Sequence, residues 1–157
     1  MESYREIDGN LITMAKQSKF DVIGHGCNCF CTMKSGIAPQ MAKAFGCDTF
    51  NMESSGHYGD INKLGCIDWE TKEIDPFSKL IVVNLYSQYE YGYKDGVVYL
   101  DYDALRMCFR KMNHNFKNHH IGLPKIGSGK AKGDWEKIKE IIKEELIDCN
   151  VTVINYI

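Results

Sequence analysis

The sequence lacks the features of a membrane protein or a secreted protein. No apolar run approaches the roughly 20 residues that a membrane-spanning helix needs. The first ten residues, MESYREIDGN, are polar and acidic, so we expect no signal peptide. Seven cysteines without such a signal are typical of a reducing compartment, so we expect a cytoplasmic protein.

An excess of charge of one sign is also absent. The net charge is -2, and the chain has neither a basic tail nor a run of like charges. We therefore expect no dedicated nucleic-acid-binding surface. There is no internal repeat and no low-complexity segment, and nothing in the sequence demands an oligomer, so a monomer is expected.

The spacing that metal ligands require is missing as well. The chain has no C-x2-C pair, no HxxxD and no paired carboxylates, so we expect neither a metal nor a cofactor. Three cysteines, Cys27, Cys29 and Cys31, alternate along one stretch. We interpret them as buried free thiols that pack as small hydrophobic side chains, with a zinc site as the alternative.

What the 157 residues do contain is a regular alternation of strand and helix signals. Short apolar runs predict strands, and apolar residues at helical spacing predict helices. The predicted order is strand 4–7, helix 10–17, strand 20–23, helix 37–45, strands 64–68 and 79–85, a helix from about 103, strand 120–123, a helix after 134 and strand 151–156. Residues 47–66 are predicted as a loop with a short helix around 48–54. Together these predict an α/β fold with helices on both sides of a mixed sheet.

Two stretches combine the end of a strand, a glycine-containing loop and the start of a helix. Residues 21–38 read DVIGHGCNCFCTMKSGIA, and residues 121–135 read IGLPKIGSGKAKGDW. In α/β folds ligands bind beyond the carboxyl ends of strands, and loops before helix N-termini bind anions. Two such loops predict a cleft for a phosphate-rich ligand between them.

These stretches, with NLYSQ at residues 84–88, resemble the ligand-binding segments of the macrodomain superfamily. The resemblance covers nearly the whole chain and is closest to small stand-alone proteins that process ADP-ribose 1"-phosphate, including those of tailed phages. It implies a three-layer α/β/α fold with a central mixed sheet, as a single macrodomain over residues 1–157. It also implies an enzyme that binds ADP-ribose and hydrolyses ADP-ribose 1"-phosphate to ADP-ribose and phosphate, in the host cytoplasm if a phage encodes it.

Two other functions of such a domain stay open. One is a mono-ADP-ribosyl hydrolase that removes ADP-ribose from protein or nucleic acid, and the other is a non-catalytic ADP-ribose reader. One glycohydrolase branch uses a lysine after the central strand and an aspartate in the second loop. Residues 84–88 contain no lysine, and Ala131 stands at the aspartate position, so both differences count against that branch. The expected partners are ADP-ribose or its 1"-phosphate, and ADP-ribosylated macromolecules in the hydrolase or reader case.

The resemblance also implies roles for individual residues. Asp21 matches the aspartate that receives the adenine amino group, with a surface aspartate at a strand end as the alternative. Asn28 matches the asparagine that faces the distal ribose, or it holds its loop through hydrogen bonds. The expected phosphate-binding positions, which would otherwise be ordinary turns, are Ser35, Gly36 and Ile37 in the first loop and Gly127, Ser128 and Gly129 in the second.

Two residues are the candidates for catalysis. His25 stands where phosphatase-like members carry histidine, which acts as an acid or base near neutral pH. We expect it at the mouth of the cleft, or alternatively satisfied inside the loop. Asp134 belongs to an intact GDW signature and would orient a water or His25, cap the following helix, or do both.

Lysines distinguish this chain from the common family pattern. Lys34 replaces a glycine of the first loop, and Lys130 follows Gly129 in the second. With Lys125 and Lys132 they predict a cationic rim, which suits a ligand with more negative charge than ADP-ribose. The alternatives are that they occlude the groove or simply solvate a loop.

Overall fold

A six-stranded mixed sheet forms the central layer of the computed structural model, which describes residues 3–34, 36–50, 59–92, 94–129 and 131–156. Its strands are β1 (Tyr4–Gly9), β2 (Val22–Asn28), β3 (Ile67–Asp75), β4 (Ser78–Gln88), β5 (His120–Pro124) and β6 (Asn150–Tyr156). Its helices are α1 (Leu11–Lys16), α2 (Ala38–Phe45), α3 (Tyr102–Asn115) and α4 (Trp135–Glu145). Short 3₁₀ helices span Cys47–Thr49 and Ile61–Lys63.

The strand order is β1-β6-β5-β2-β4-β3. All neighbouring pairs are parallel except β3 and β4, which are antiparallel. Five strands therefore end at the same edge of the sheet, which is where an α/β fold binds its ligands.

Each face of the sheet packs against two helices. On one face, α1 and α2 bury Leu11, Ala15, Met41 and Phe45 against the sheet. On the other face, α3 and α4 contribute most of a larger core, including Leu105, Phe109, Met112, Ile138, Ile141 and Ile142. The predicted three-layer α/β/α fold is therefore confirmed. None of the helices within the described ranges is long and apolar enough to cross a membrane.

Local chemistry sets the ends of the helices. Asn10, Asp101 and Asp134 each cap a helix by accepting a hydrogen bond from a backbone N–H of the first turn. Gly46 ends α2 in the left-handed conformation that favours glycine. The cap that the sequence predicted as one role of Asp134 is confirmed.

Two strands differ from their predicted ranges. The strand expected at residues 20–23 is β2, which continues to Asn28 because residues 22–25 and 27–28 are buried in the middle of the sheet. The strand expected at residues 64–68 is β3, which runs to Asp75 as a largely exposed edge strand. The helix expected around residues 48–54 is a 3₁₀ helix over its first part, and residues 51–58 lie outside the described ranges.

Candidate functional site

A cavity of about 760 Å³ opens at the edge where the parallel strands end. That volume is within the range of about 300–1,000 Å³ that small-molecule sites occupy. Its walls follow the strand order: the end of β6, the loop after β5, the loop after β2 and the end of β4. The cavity is therefore long, and it runs across four strands of the sheet.

The loop after β2 is held in shape by Asn28. The Asn28 side chain accepts hydrogen bonds from the backbone N–H groups of Phe30, at 3.0 Å, and Thr32, at 3.3 Å. Its amide nitrogen donates to the Thr32 carbonyl and hydroxyl oxygens. Asn28 is 7% exposed and also lines the cavity, so one residue both fixes the loop and forms part of the wall.

The same loop leads into the N-terminus of α2, and this helix end is unlike the other three. Ile37 occupies its N-cap position and makes no side-chain cap, whereas α1, α3 and α4 are each capped by Asn or Asp. Gly36, with a φ of 64°, adopts the left-handed conformation just before the cap. Because residues 36–38 line the cavity, the N-terminus of α2, where the helix dipole favours negative charge, lies at the cavity wall.

The loop after β5 closes on itself. Gly127 has a φ of 77°, and its carbonyl accepts a hydrogen bond of 2.8 Å from the Gly133 N–H. The Ser128 hydroxyl donates to the Lys125 carbonyl oxygen at 2.8 Å. Lys125 lines the cavity, and its ammonium nitrogen lies 5.7 Å from the centre of the Trp135 ring. This wall is therefore mostly backbone, with one cation beside it.

The two ends of the cavity differ in polarity. The wall at the β6 end consists of Leu11, Ile154, Asn155 and Tyr156. The wall at the β4 end contains Ser87, Gln88, Tyr91 and Gly92. The first end thus offers mainly apolar and aromatic surface, the middle offers backbone N–H groups, and the second end offers hydroxyl and amide groups.

Comparison with known proteins agrees with this architecture, although no family model matches the chain. An uncharacterised 17.5 kDa protein from the tk–vs intergenic region of Enterobacteria phage T4 is 30% identical over 154 residues, which is 96% of this chain and 94% of the phage protein. The macrodomain of Mycobacterium tuberculosis DarG superposes with a TM-score of 0.69 at 17% identity, over 98% of both chains.

A further solved structure is that of Thermosipho africanus DarTG in complex with ADP-ribose. It matches 99% of this chain and 42% of its own, with a TM-score of 0.70 at 10% identity. The chain is related to the phage protein, and it has the macrodomain fold. At these identities the solved structures establish the fold alone.

Asp21 does not reach the cavity. It precedes β2, so it lies at the amino end of that strand, whereas the cavity lies at the carboxyl end. Its carboxylate accepts a hydrogen bond of 2.8 Å from the His120 backbone N–H. The expectation that Asp21 binds the ligand is therefore wrong, because the strand begins where we expected it to end.

His25 is buried in the sheet and is 0% exposed, so it does not stand at the cleft mouth. It faces Asn84 on β4, which in turn faces Asp68 on β3. The Asn84 amide nitrogen donates to Asp68 Oδ1 and to the Cys47 carbonyl, both at 2.9 Å. The Asn84 oxygen is thereby left to accept from His25 Nε2 at 2.7 Å. Tyr86 donates to the other Asp68 oxygen at 2.7 Å.

We call these four residues, His25, Asn84, Asp68 and Tyr86, the His25 cluster. Burial lowers the pKa of His25 from 6.5 to about 4, although the hydrogen bond to Asn84 acts in the opposite direction. The imidazole is therefore neutral at physiological pH and donates from Nε2. His25 is absent from the cavity wall, and Cys27, whose Sγ lies 3.6 Å from Nε2, is the neighbour that reaches it.

The position of His25 thus contradicts the catalytic role that we expected for it. The alternative applies: His25 is an internal histidine whose hydrogen bond is made within the protein. Burial also raises the pKa of the Cys27 thiol well above its ordinary value. Cys27 and His25 are consequently both neutral and do not form an activated thiolate–imidazolium pair.

Asp134 and Lys34 also lie away from the cavity wall. Asp134 is exposed, and its carboxylate caps α4 by accepting a hydrogen bond of 3.0 Å from the Glu136 N–H. Capping was the alternative to a catalytic role for this residue. Lys34 is exposed and does not line the cavity. The structure therefore brings together Asn28, Gly36, Ile37, Gly127, Ser128 and Gly129 of the predicted set. Ser35 and Lys130 lie outside the described residues.

Cys27, Cys29 and Cys31 are buried free thiols, as we interpreted them from the sequence. They pack with Tyr86 in a small core beneath the first loop. Across the described ranges, no group of three or more His, Cys, Asp or Glu side chains is arranged to hold a metal ion.

The segment 84–88 includes Ser87 and Gln88 of the cavity wall, but no motif in the sequence marks Tyr91 or residues 154–156. Tyr91 lies in an aromatic loop that shows no motif, and residues 154–156 read as an ordinary final strand. The available signal was topological: β6 lies beside β5, so its carboxyl end must contribute to the same edge.

Proposed function

We propose that this protein binds ADP-ribose in the cavity. The observation that carries the proposal is the N-terminus of α2, which lies at the middle of the cavity wall and has no side-chain cap from the described residues. Such a helix end favours an anion, and the loop after β5 faces it with further backbone and with Lys125. A diphosphate fits this middle section, with a base on the apolar side and a sugar on the polar side.

The proposal extends to hydrolysis of ADP-ribose 1"-phosphate. In that reaction a water oxygen attacks phosphorus, the bond from phosphorus to the sugar oxygen breaks, and the sugar oxygen takes up a proton. The two loops and Lys125 offer donors and positive charge for the phosphoryl oxygens, which supports stabilisation of charge in the transition state. The chemistry relies on positioning and electrostatics and uses neither His25 nor Asp134.

One observation favours a second candidate, a reader that binds ADP-ribose without turnover. Among the described residues, no His, Asp or Glu side chain lines the cavity. The usual general acids and bases of hydrolysis are therefore missing from this part of the wall.

Calorimetry with ADP-ribose and a phosphate-release assay with ADP-ribose 1"-phosphate test both ideas. We expect binding of ADP-ribose and release of phosphate; binding without release assigns the reader function. An added Cβ at Gly129 meets no atom within 4 Å, so Gly129→Trp places a large side chain into open space beside the cavity. This variant should fold and lose binding.

Gly129→Ala is the matched control. It adds only a methyl group at the same open position, and we expect affinity close to that of the wild type. Equal binding by a folded Gly129→Trp variant would place the ligand elsewhere and contradict the proposed site.

A further inference from the structure

Buried hydroxyl and amide groups without a partner are concentrated at the cavity. Three buried side-chain oxygens within the described ranges make no hydrogen bond: Tyr4 OH, Ser87 Oγ and Asn155 Oδ1. Two of them, in Ser87 and Asn155, belong to residues that line the cavity. Because an unpaired buried polar group is costly, such groups in a cavity wall indicate where a ligand supplies the missing partner.

Ser87 is held rigidly in this wall. It is 1% exposed and lies near the end of β4, and its carbonyl accepts a hydrogen bond of 2.9 Å from the Asp101 N–H. Its hydroxyl lies over Gly26 of β2, where an added Cβ would come within 3.1 Å of Oγ. These contacts hold the Ser87 backbone in place and keep its side chain close to β2.

Ser87 and Asn155 occupy opposite ends of the cavity. β6 and β4 are separated by β5 and β2, which makes three strand intervals. At about 4.8 Å for each interval, the two ends are about 14 Å apart. The apolar wall of Leu11, Ile154 and Tyr156 suits a base, so the Ser87 end receives the part of the ligand beyond the diphosphate.

We propose that the Ser87 hydroxyl forms a hydrogen bond with the sugar beyond the diphosphate and so discriminates a nucleoside diphosphate carrying a second sugar from the nucleoside diphosphate alone. This assignment rests on the proposed function and deepens it. A sugar hydroxyl both donates and accepts, as does a serine hydroxyl, so the pair satisfies the unpaired Oγ in either direction.

Calorimetry with ADP-ribose and with ADP, on the wild type and Ser87→Ala, tests this assignment. We expect the Kd for ADP-ribose to rise about three- to tenfold, the range for loss of one hydrogen bond, and the Kd for ADP to stay unchanged. The Tm of the free variant should not fall, because the methyl group replaces a hydroxyl that has no partner.

Ser128→Ala is the matched control, because its hydroxyl already donates to the Lys125 carbonyl. It should lower the Tm and weaken both ligands by the same factor. If Ser87→Ala keeps the wild-type preference for ADP-ribose over ADP, the assignment of Ser87 is wrong but the proposed function stands. The same conclusion follows if Ser87→Ala lowers the Tm and weakens binding of ADP-ribose and ADP equally. Failure of the wild type to bind ADP-ribose overturns the proposed function and the assignment with it.

Discussion

The His25 cluster and the cavity lie on neighbouring parts of the same strands but treat polar groups in opposite ways. In the cluster, His25, Asn84, Asp68 and Tyr86 satisfy one another across three adjacent strands. In the cavity wall, Ser87 and Asn155 each leave an oxygen unpaired. The difference teaches that the residue types most associated with catalysis stabilise the fold here, whereas the cavity wall consists mostly of neutral residues.

The largest effect that would test this comparison is expected at Asn84, the centre of the cluster. Asn84→Ala removes the donor to Asp68 Oδ1 and to the Cys47 carbonyl in a buried site. It also leaves His25 Nε2 beside the Cys27 and Cys47 sulfurs, which are weak hydrogen-bond partners. We expect the free energy of unfolding to fall by about 3–4 kcal/mol, measured by chemical denaturation. Affinity for ADP-ribose, measured where the protein is folded, should stay within about twofold.

The matched control for Asn84 is Asn115→Ala, which removes an exposed asparagine that makes one hydrogen bond at the end of α3. It should cost about 0.5 kcal/mol or less. A loss of affinity in Asn84→Ala with little loss of stability would show that the cluster belongs to the binding site after all.

The next largest effect is expected in the pH dependence of the free energy of unfolding, to which His25 contributes. The unfolded side chain takes up a proton near pH 6.5, whereas the folded one does so only near pH 4. The unfolded state therefore binds more protons within this window, and stability falls as the pH is lowered through it. At about 1.4 kcal/mol per pH unit, the loss between neutral pH and pH 4 should reach about 3 kcal/mol.

Denaturation curves of the wild type and His25→Asn between pH 7 and pH 4 isolate this contribution. The raised pKa of Asp68 acts in the opposite sense and the lowered pKa of His120 in the same sense, but both residues remain in the variant. The variant should lose most of the slope and keep its phosphate release within a few fold at pH 7. A stable variant without turnover would restore His25 to the mechanism.

The smallest effect is expected at Asp134, which was a catalytic candidate and is a helix cap. Asp134→Ala should cost about 1 kcal/mol of stability, and Asp134→Asn should retain most of it, because asparagine caps as well as aspartate. Thermal denaturation measures the cost, and calorimetry should give the same ADP-ribose affinity for both variants. A specific loss of turnover in Asp134→Asn would contradict the assignment as a cap alone.

Local signals in the sequence predicted the parts of the fold that depend on local chemistry. Asn10, Gly46 and Asp134 terminate helices through contacts within a few residues, so the sequence alone was sufficient. The glycine loops could be found because Gly36 and Gly127 stand between a strand pattern and a helix start. Their place at one edge of the sheet followed from parallel strands.

The position of the site along β2 could not be predicted in the same way. The apolar pattern stops at Ile23, yet the strand continues through His25 to Asn28 because the neighbouring strands cover it. Only the tertiary structure shows that this burial turns a histidine near a glycine loop into a core residue. Because the predicted strand ended too early, we also expected Asp21 at the ligand-binding edge of the sheet, whereas it lies at the opposite edge.

The pairing of β1 with β6 has a consequence for the order of events during folding. The Arg5–Thr152 contact joins residues 147 positions apart, and β6 must enter between β1 and β5. Contacts of such long sequence separation are slow to form because a large loop must close first. We therefore expect the pairing of β1 with β6 to form at a late step, so that the Leu11 side of the cavity wall is completed after the β5–β6 pairing that positions residues 154–156.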